Sequence, residues 1–278
     1  MDDTQPRLLR FADVPRWVWG DDTSGRVADW GYSTTTRMNF IVFALAPGEH
    51  WGWSENFRPS YPADEGYYVL QGELTAHNPE TGEVAVVKAG EALHFRQNTW
   101  HFGYNFTLTE TLVVEALAPV PPGVSVEALE RLAPPLTNLK WERAELLGRW
   151  PADAGEVRAT QTLFPMRPAD WLHTLSGERA PRRVSLFVAT EHLIMGRFDV
   201  LPEQTCDPEV HAGEEVLLAL AGSLQVLIPE TGERFELAPR DAIYLPPGVS
   251  HQYVNNSSEL AQALFAVAPG IGKAHQLG

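Results

Sequence analysis

Cysteine is almost missing. Cys206 is the single one in 278 residues, so no disulfide can close within the chain, and a reducing compartment is the expectation. No window approaches the roughly 18 uninterrupted apolar residues that a membrane-spanning helix needs. The amino terminus, Met1-Asp2-Asp3-Thr4, is acidic and lacks the apolar stretch of a secretory leader. Basic charge is also scarce: 21 Lys and Arg face 36 Asp and Glu, a formal net charge of −15. Phosphate recognition depends on Lys and Arg displacing counterions, so nucleic acid and anionic membrane are poor partners for such a chain. A soluble cytoplasmic protein acting on a small-molecule substrate is the expectation.

What is present is the composition of a folded protein. Hydrophobic residues make up 44% and charged residues 21%, too apolar for a disordered chain. The 22 prolines and 22 glycines are scattered rather than gathered into tracts, which suits many short strands separated by turns. The length exceeds one average domain, so two compact units are expected.

A repeat settles the organisation. Glu65, Leu70, Gly72 and Leu74 are answered 150 positions later by Glu215, Leu220, Gly222 and Leu224. Pro79-Glu80-Thr81-Gly82-Glu83 returns as Pro229-Glu230-Thr231-Gly232-Glu233, and His101 and Asn105 return as His251 and Asn255. Ala116-Leu117-Ala118-Pro119 is matched by Ala266-Val267-Ala268-Pro269, with no insertion or deletion from Glu65 onward. Each copy reads as short apolar strands broken by a glycine, with Pro-Glu-Thr-Gly-Glu as a hairpin tip. The division expected is a first barrel over 1–118, a connector over 119–151 and a second barrel over 152–278. In the connector Ser125 caps a short helix through Arg131, which Pro134-Pro135 stops.

The chemistry gathers in the second copy. Glu209 and His211 are two apart, which on a strand puts both on one face. Glu215 follows the bend Ala212-Gly213-Glu214, and His251 follows a Pro246-Pro247-Gly248 turn. Two imidazoles and two carboxylates converging inside a barrel make a metal site, and this donor mix suits one divalent ion among Fe, Mn, Zn, Co and Ni. Tyr253 shares the face of His251 by strand parity and is a candidate proton donor, while Glu209 is a candidate proton acceptor. Cys206, three residues before Glu209, reads as an inert loop or core residue.

These two segments resemble the two sequence motifs of the cupin superfamily. His211, Glu215 and Gly222 fall on the second His, the Glu and the Gly of the first motif, and Pro246, Gly248, His251 and Asn255 match the second motif. The resemblance implies an all-β chain: two tandem jelly-roll barrels of the double-stranded β-helix type with a short helical connector, a bicupin. It implies one metal in the C-terminal barrel, held by His211, Glu215 and His251, with Glu209, standing where the family has its first histidine, as the candidate fourth ligand. Arg240 replaces the glycine that usually opens the second motif. In the first copy only Glu65 and His101 remain. Pro59 and Tyr61 stand at the positions of Glu209 and His211, and Asn98 replaces the turn glycine. That barrel is expected to have lost its metal.

By the same resemblance the function is that of a metal-dependent enzyme, dioxygenase-like first, with aminohydrolase, isomerase or decarboxylase chemistry as alternatives. The bicupin ureidoglycine aminohydrolases are similar in length and in carrying Glu at the first motif position. They differ in placing His where this chain has Glu215 and Gln where it has His251. A non-catalytic small-molecule-binding bicupin is the rival reading. The two barrels are expected to pack through an apolar interface, with a homodimer as a further step.

Overall fold

The computed structural model describes residues 4–52, 60–120 and 161–269. Among them there is no α-helix, only the 3-10 turns Phe11–Asp13 and Pro168–Asp170. The helix expected from Ser125 to Arg131, and with it most of the connector, lies outside the described residues.

The chain forms two barrels, each from a large and a small antiparallel sheet. In the first, the large sheet runs Leu163–Met166, Ala92–Phe95, Asp64–Gln71, Thr111–Ala118, Asn39–Leu45, Gly25–Thr34, Arg16–Asp21. Its small sheet runs His50–Trp51, Phe102–Tyr104, Glu73–Asn78, Glu83–Lys88. In the second, the large sheet runs Arg7–Leu9, Ala242–Leu245, Glu214–Ala221, Ala261–Ala268, Ile194–Val200, Arg182–Ala189, Leu172–Ser176. Its small sheet is Glu233–Leu237, Leu224–Ile228, Gln252–Val254.

The duplication is visible down to the register. Glu65 pairs with Phe95 as Glu215 pairs with Leu245. The pairing slips at the same place in both copies, passing over Leu70 in one and Leu220 in the other. Asp64–Gln71 and Glu214–Ala221 start 150 residues apart, but Asn39–Leu45 and Ile194–Val200 start 155 apart. The first copy thus carries five extra residues in the loop holding the first motif.

The near-continuous apolar strands follow from burial on both faces. In Glu214–Ala221, Leu217 and Ala219 point into their own barrel, while Val216 and Leu218 join a central core shared by the two barrels. Tyr68, Val114 and Ala116 of the first barrel meet Trp171, Phe187 and Met195 of the second there. The ring of Tyr68 stacks on Phe187 at 5.6 Å.

The expected division at 118 and 152 does not follow the sheets. Arg7–Leu9 pairs with Ala242–Leu245 and so belongs to the second barrel's sheet. Leu163–Met166 pairs with Ala92–Phe95 and closes the edge of the first. Each half lends the other a short strand. Pro165, which cannot donate to a ladder, is tolerated because that strand is an edge.

Candidate metal centre

Strand parity places Glu209 and His211 on one face of a regular strand. The segment between Ile194–Val200 and Glu214–Ala221 is instead a loop, touching its neighbours through isolated bridges at Thr205 and Glu209. Pro202 and Pro208 lack the N–H a ladder requires. Three backbone ties still fix the site. Glu209 and His251 exchange both hydrogen bonds, at 2.8 and 3.0 Å, and Gly248 N–H donates to the His211 carbonyl at 2.8 Å. Gly248 makes that turn at φ +79°, and Asn98 makes the same turn in the first copy at φ +60°, as its short polar side chain allows. Gly213 then passes so close to the end of the last strand that a Cβ would stand 2.3 Å from the Pro269 carbonyl oxygen. Only glycine lets the chain turn there to bring Glu215 beside His211.

The four side chains converge. His211 Nε2 lies 3.3 Å from Glu215 Oε2 and 3.8 Å from Glu209 Oε1. His251 Nε2 lies 3.2 Å from Glu215 Oε2 and 3.5 Å from Glu209 Oε1. Ligands about 2.1 Å from a common ion stand about 3.0 Å apart at right angles and about 3.4 Å apart in a tetrahedron. The spacing fits a first-row divalent ion. The backbone orients the ring of His251, whose Nδ1 contacts the Val249 carbonyl at 3.1 Å, and this leaves Nε2 facing the two carboxylates. Glu215 Oε2 and His251 Nε2 are buried and lack a well-formed hydrogen bond among the described residues. Behind Glu215, the buried Tyr253 hydroxyl donates to Oε1 at 3.1 Å, turning Oε2 toward the histidines. Burial, then the Glu215 carboxylate, push the Tyr253 phenol well above its ordinary range, so it stays a donor.

The residue that sequence reasoning misses is Arg182. Its Nη2 donates to Glu209 Oε1 at 2.5 Å, with both side chains about nine-tenths buried, and its guanidinium carbon lies 4.8 Å from the Phe198 ring centre and 4.9 Å from that of Tyr253. Strand parity carried a signal, since Arg182 stands in the inward row with Val184 and Leu186. Burial disfavours the charge on Glu209, yet Arg182 holds its carboxyl well below the usual range. Burial likewise opposes charge on the histidines, but the neighbouring carboxylates raise His211 to about 10 and His251 to about 9. Against the cost of burial, His211 beside it lowers Glu215 to about 2. Glu209, His211 and His251 offer ligand atoms within 4.8 Å of one another, Glu215 Oε2 lies within 3.3 Å of both histidines, and Arg182 competes for the Glu209 carboxylate. The cavity beside them is small, about 50 Å³. Cys206 is buried, and burial pushes its thiol up to about 11, which keeps it inert at neutral pH.

The first barrel is packed differently at the equivalent place. Tyr61 accepts the Asn98 backbone hydrogen bond as His211 accepts that of Gly248. His101 Nε2 meets the Tyr67 hydroxyl at 3.2 Å and Glu65 at 3.5 Å. Trp51 lies against Gly103, on the space that Tyr253 fills in the second barrel. Trp51, Trp100 and Trp171 are buried core residues, while Pro59 and Trp53 lie outside the described residues. In both copies the motif asparagine ties a turn: Asn105 Nδ2 donates to the carbonyls of Leu45 and Thr109, and Asn255 Nδ2 to those of Val200 and Glu259.

Comparison with known proteins bears on this arrangement. Residues 196–267 match the cupin domain family model, Cupin_2. No curated protein sequence matches the chain significantly. The fold is similar to that of the putative glyoxylate-induced protein from Pseudomonas aeruginosa, at 12% identity and a TM-score of 0.65 over 98% of this chain and 92% of that one. It is similar to protein Ylba from E. coli, at 10% identity and a TM-score of 0.64 over 96% and 92%. It is also similar to an oxalate decarboxylase from Lactobacillus farciminis solved with formate, at 13% identity and a TM-score of 0.62 over 96% and 86%. At such identities the likeness concerns the fold. Residues 196–267 thus form a cupin domain, and the two-barrel fold of the whole chain fits a bicupin architecture.

Proposed function

We propose that the protein is a metal-dependent enzyme acting on a small organic molecule in the C-terminal barrel, with dioxygenase-like chemistry. The observation that carries this reading is the contact between Arg182 and Glu209. By holding the fourth candidate ligand, Arg182 favours a 2-His-1-carboxylate set, a donor arrangement that leaves positions open to substrate and dioxygen. A divalent transition metal, when bound, supplies Lewis acidity toward a substrate oxygen and, for iron or manganese, a redox partner. The protein's own residues supply the rest. Tyr253 orients Glu215, and Val249 orients His251. Val184, Leu186, Phe198 and Phe265 keep the cavity dry on one side. Glu209 is the carboxylate placed to accept a proton, once the hold of Arg182 on it is relaxed.

A decarboxylase is the second reading, supported by the oxalate decarboxylases among the structural neighbours. The two part on oxygen: a dioxygenase consumes it in proportion to product, whereas a decarboxylase releases carbon dioxide without net consumption. No helix among the described residues is long and apolar enough to cross a membrane. We place the working protein in the cytoplasm, as a homodimer taking a small-molecule substrate.

The test begins with the metal. Elemental analysis of the purified protein is expected to give one divalent ion per chain, abolished by His251→Ala and unaffected by His101→Ala. Loss in the His101 variant with retention in the His251 variant assigns the chemistry to the other barrel and overturns the proposal.

A further inference from the structure

The cavity beside His211 and Glu215 has Arg182 in its wall, buried about nine-tenths and charged whether or not the histidines carry a proton. Its guanidinium has five N–H donors in a fixed fork. One of them, on Nη2, goes to Glu209. The Nε–H is buried without an acceptor among the described residues, a costly state for a charged donor. Its carbon sits over both the Phe198 and Tyr253 rings, so the edge is what remains to receive a ligand.

Charge narrows the ligand further. Arg182, Glu209 and Glu215 sum to −1; a divalent ion held by neutral imidazoles brings the buried cluster to +1. A buried unit charge without a counter-ion is expensive, and a ligand carrying one negative charge neutralises it. A dianion overshoots, and a neutral amide leaves the charge in place. Beside Arg182 in the same inward row stand Val184 and Leu186, and Phe265, Thr174 and Ser176 complete the lining. Those surfaces suit a short apolar substituent.

We propose that Arg182 is the substrate-recognition residue of this cavity and that it selects a monocarboxylate bearing a short apolar group. The inference rests on the metal reading given above and adds the class of substrate to it. Part of the Arg182 fork goes to the incoming carboxylate, which weakens its hold on Glu209 and couples recognition to the freeing of that base.

Calorimetric titration of the zinc-loaded full-length protein with formate, butyrate, butyramide and succinate tests it. Butyrate is expected to bind tighter than formate and succinate, and at least about 10-fold tighter than butyramide. Arg182→Met is expected to retain zinc and to weaken butyrate about 10- to 100-fold, the worth of a charged hydrogen bond. Equal binding of acid and amide by the wild-type protein overturns the inference even if that variant does not fold. So does a zinc-loaded Arg182→Met protein that binds butyrate as the wild type does. Failure of the wild-type protein to take up zinc overturns the metal reading, and the charge argument with it.

Discussion

Two imidazoles that each lie within 4 Å of the same two carboxylates can be held there by protons or by a metal, and the two compete. Without metal, His211 and His251 stay protonated to about pH 10 and 9 because Glu215 and Glu209 face them across the cost of burial. Their folded values lie above the ordinary 6.5, so the stability they contribute is complete below that pH and is lost as pH rises toward 9 to 10. Glu215, lowered from 4.5 to about 2, contributes stability present above pH 4.5 and lost as pH falls through 2. A metal must displace the histidine protons. Apparent metal affinity is therefore expected to rise steeply between pH 6.5 and 8.5, by up to about 100-fold per unit while two protons are released. Metal titrations at several pH values, with proton release followed in weak buffer, check this; affinity independent of pH contradicts it. Alkaline destabilisation, by the same linkage, is expected of the metal-free protein only.

Arg240 poses a residue-scale question of another kind. It holds φ +77°, where the first copy has Gly90 at φ +85°. That conformation costs a residue with a Cβ about 1 kcal/mol. The guanidinium compensates by lying 3.7 Å from the centre of the Phe11 ring, a contact worth about 0.5–1 kcal/mol or more. Arg240→Gly loses the contact but sheds the strain, whereas Arg240→Ala loses the contact and keeps it. Arg240→Ala is thus expected to be the less stable variant by about 1 kcal/mol, read from midpoints of denaturant unfolding.

At the scale of elements, the turns decide whether the ligands meet. Gly213 has backbone oxygens of Pro269 and Ala268 at 2.3 and 2.7 Å from where a Cβ would stand, so Gly213→Ala must shift the strand that carries Glu215. It is expected to cost about 2 kcal/mol or more and to reduce metal content. Gly248 has nothing within 4 Å of that position, and Asn98 already makes the same turn in the first copy. Gly248→Asn is expected to keep both metal and fold, with a loss under about 1 kcal/mol. Melting curves with metal analysis separate the two, and equal damage from both changes refutes the distinction. Much at this scale is legible in the residues: the strands from Glu65 onward, the hairpin tips, the two asparagine turns and the matched positions of Glu215 and His251 all follow from one repeat. The parity argument for Glu209 fails because Pro202 and Pro208 keep its segment out of a ladder, and two reciprocal backbone bonds to His251 do the placing. Arg182 escapes notice because a charged residue at a strand's first position usually lies outside; the inward row it shares with Val184 and Leu186 is the available signal.

For the whole molecule, the informative feature is the exchange of edge strands. Arg7–Leu9 and Leu163–Met166 are too short to show a period, and each pairs with a strand far away in the chain, so no local pattern could place them. Their effect is that neither barrel is complete within its own half. Arg7–Leu9 covers the edge of Ala242–Leu245, where Leu245 pairs with Glu215. Arg10 pairs with Asp241 at 2.8 Å, and Arg7 lies 4.8 Å from the Tyr244 ring centre. The central core is shared as well. Both features tie the barrels into one cooperative unit, so a single thermal transition is expected. Removing residues 1–10 strips an edge strand from the barrel with the candidate metal site, at the opposite end of the sequence. Such a truncation is expected to lower the melting temperature by about 5 °C or more, as a loss of roughly 2 kcal/mol would. It is also expected to weaken the metal, because the strand beside Glu215 loses its support, while pairing within Asn39–Leu45 and Thr111–Ala118 of the first barrel persists. Hydrogen exchange with metal analysis of the truncated protein decides the matter: faster exchange confined to the first barrel, with the metal unaffected, would mean that the crossing strand does not complete the second.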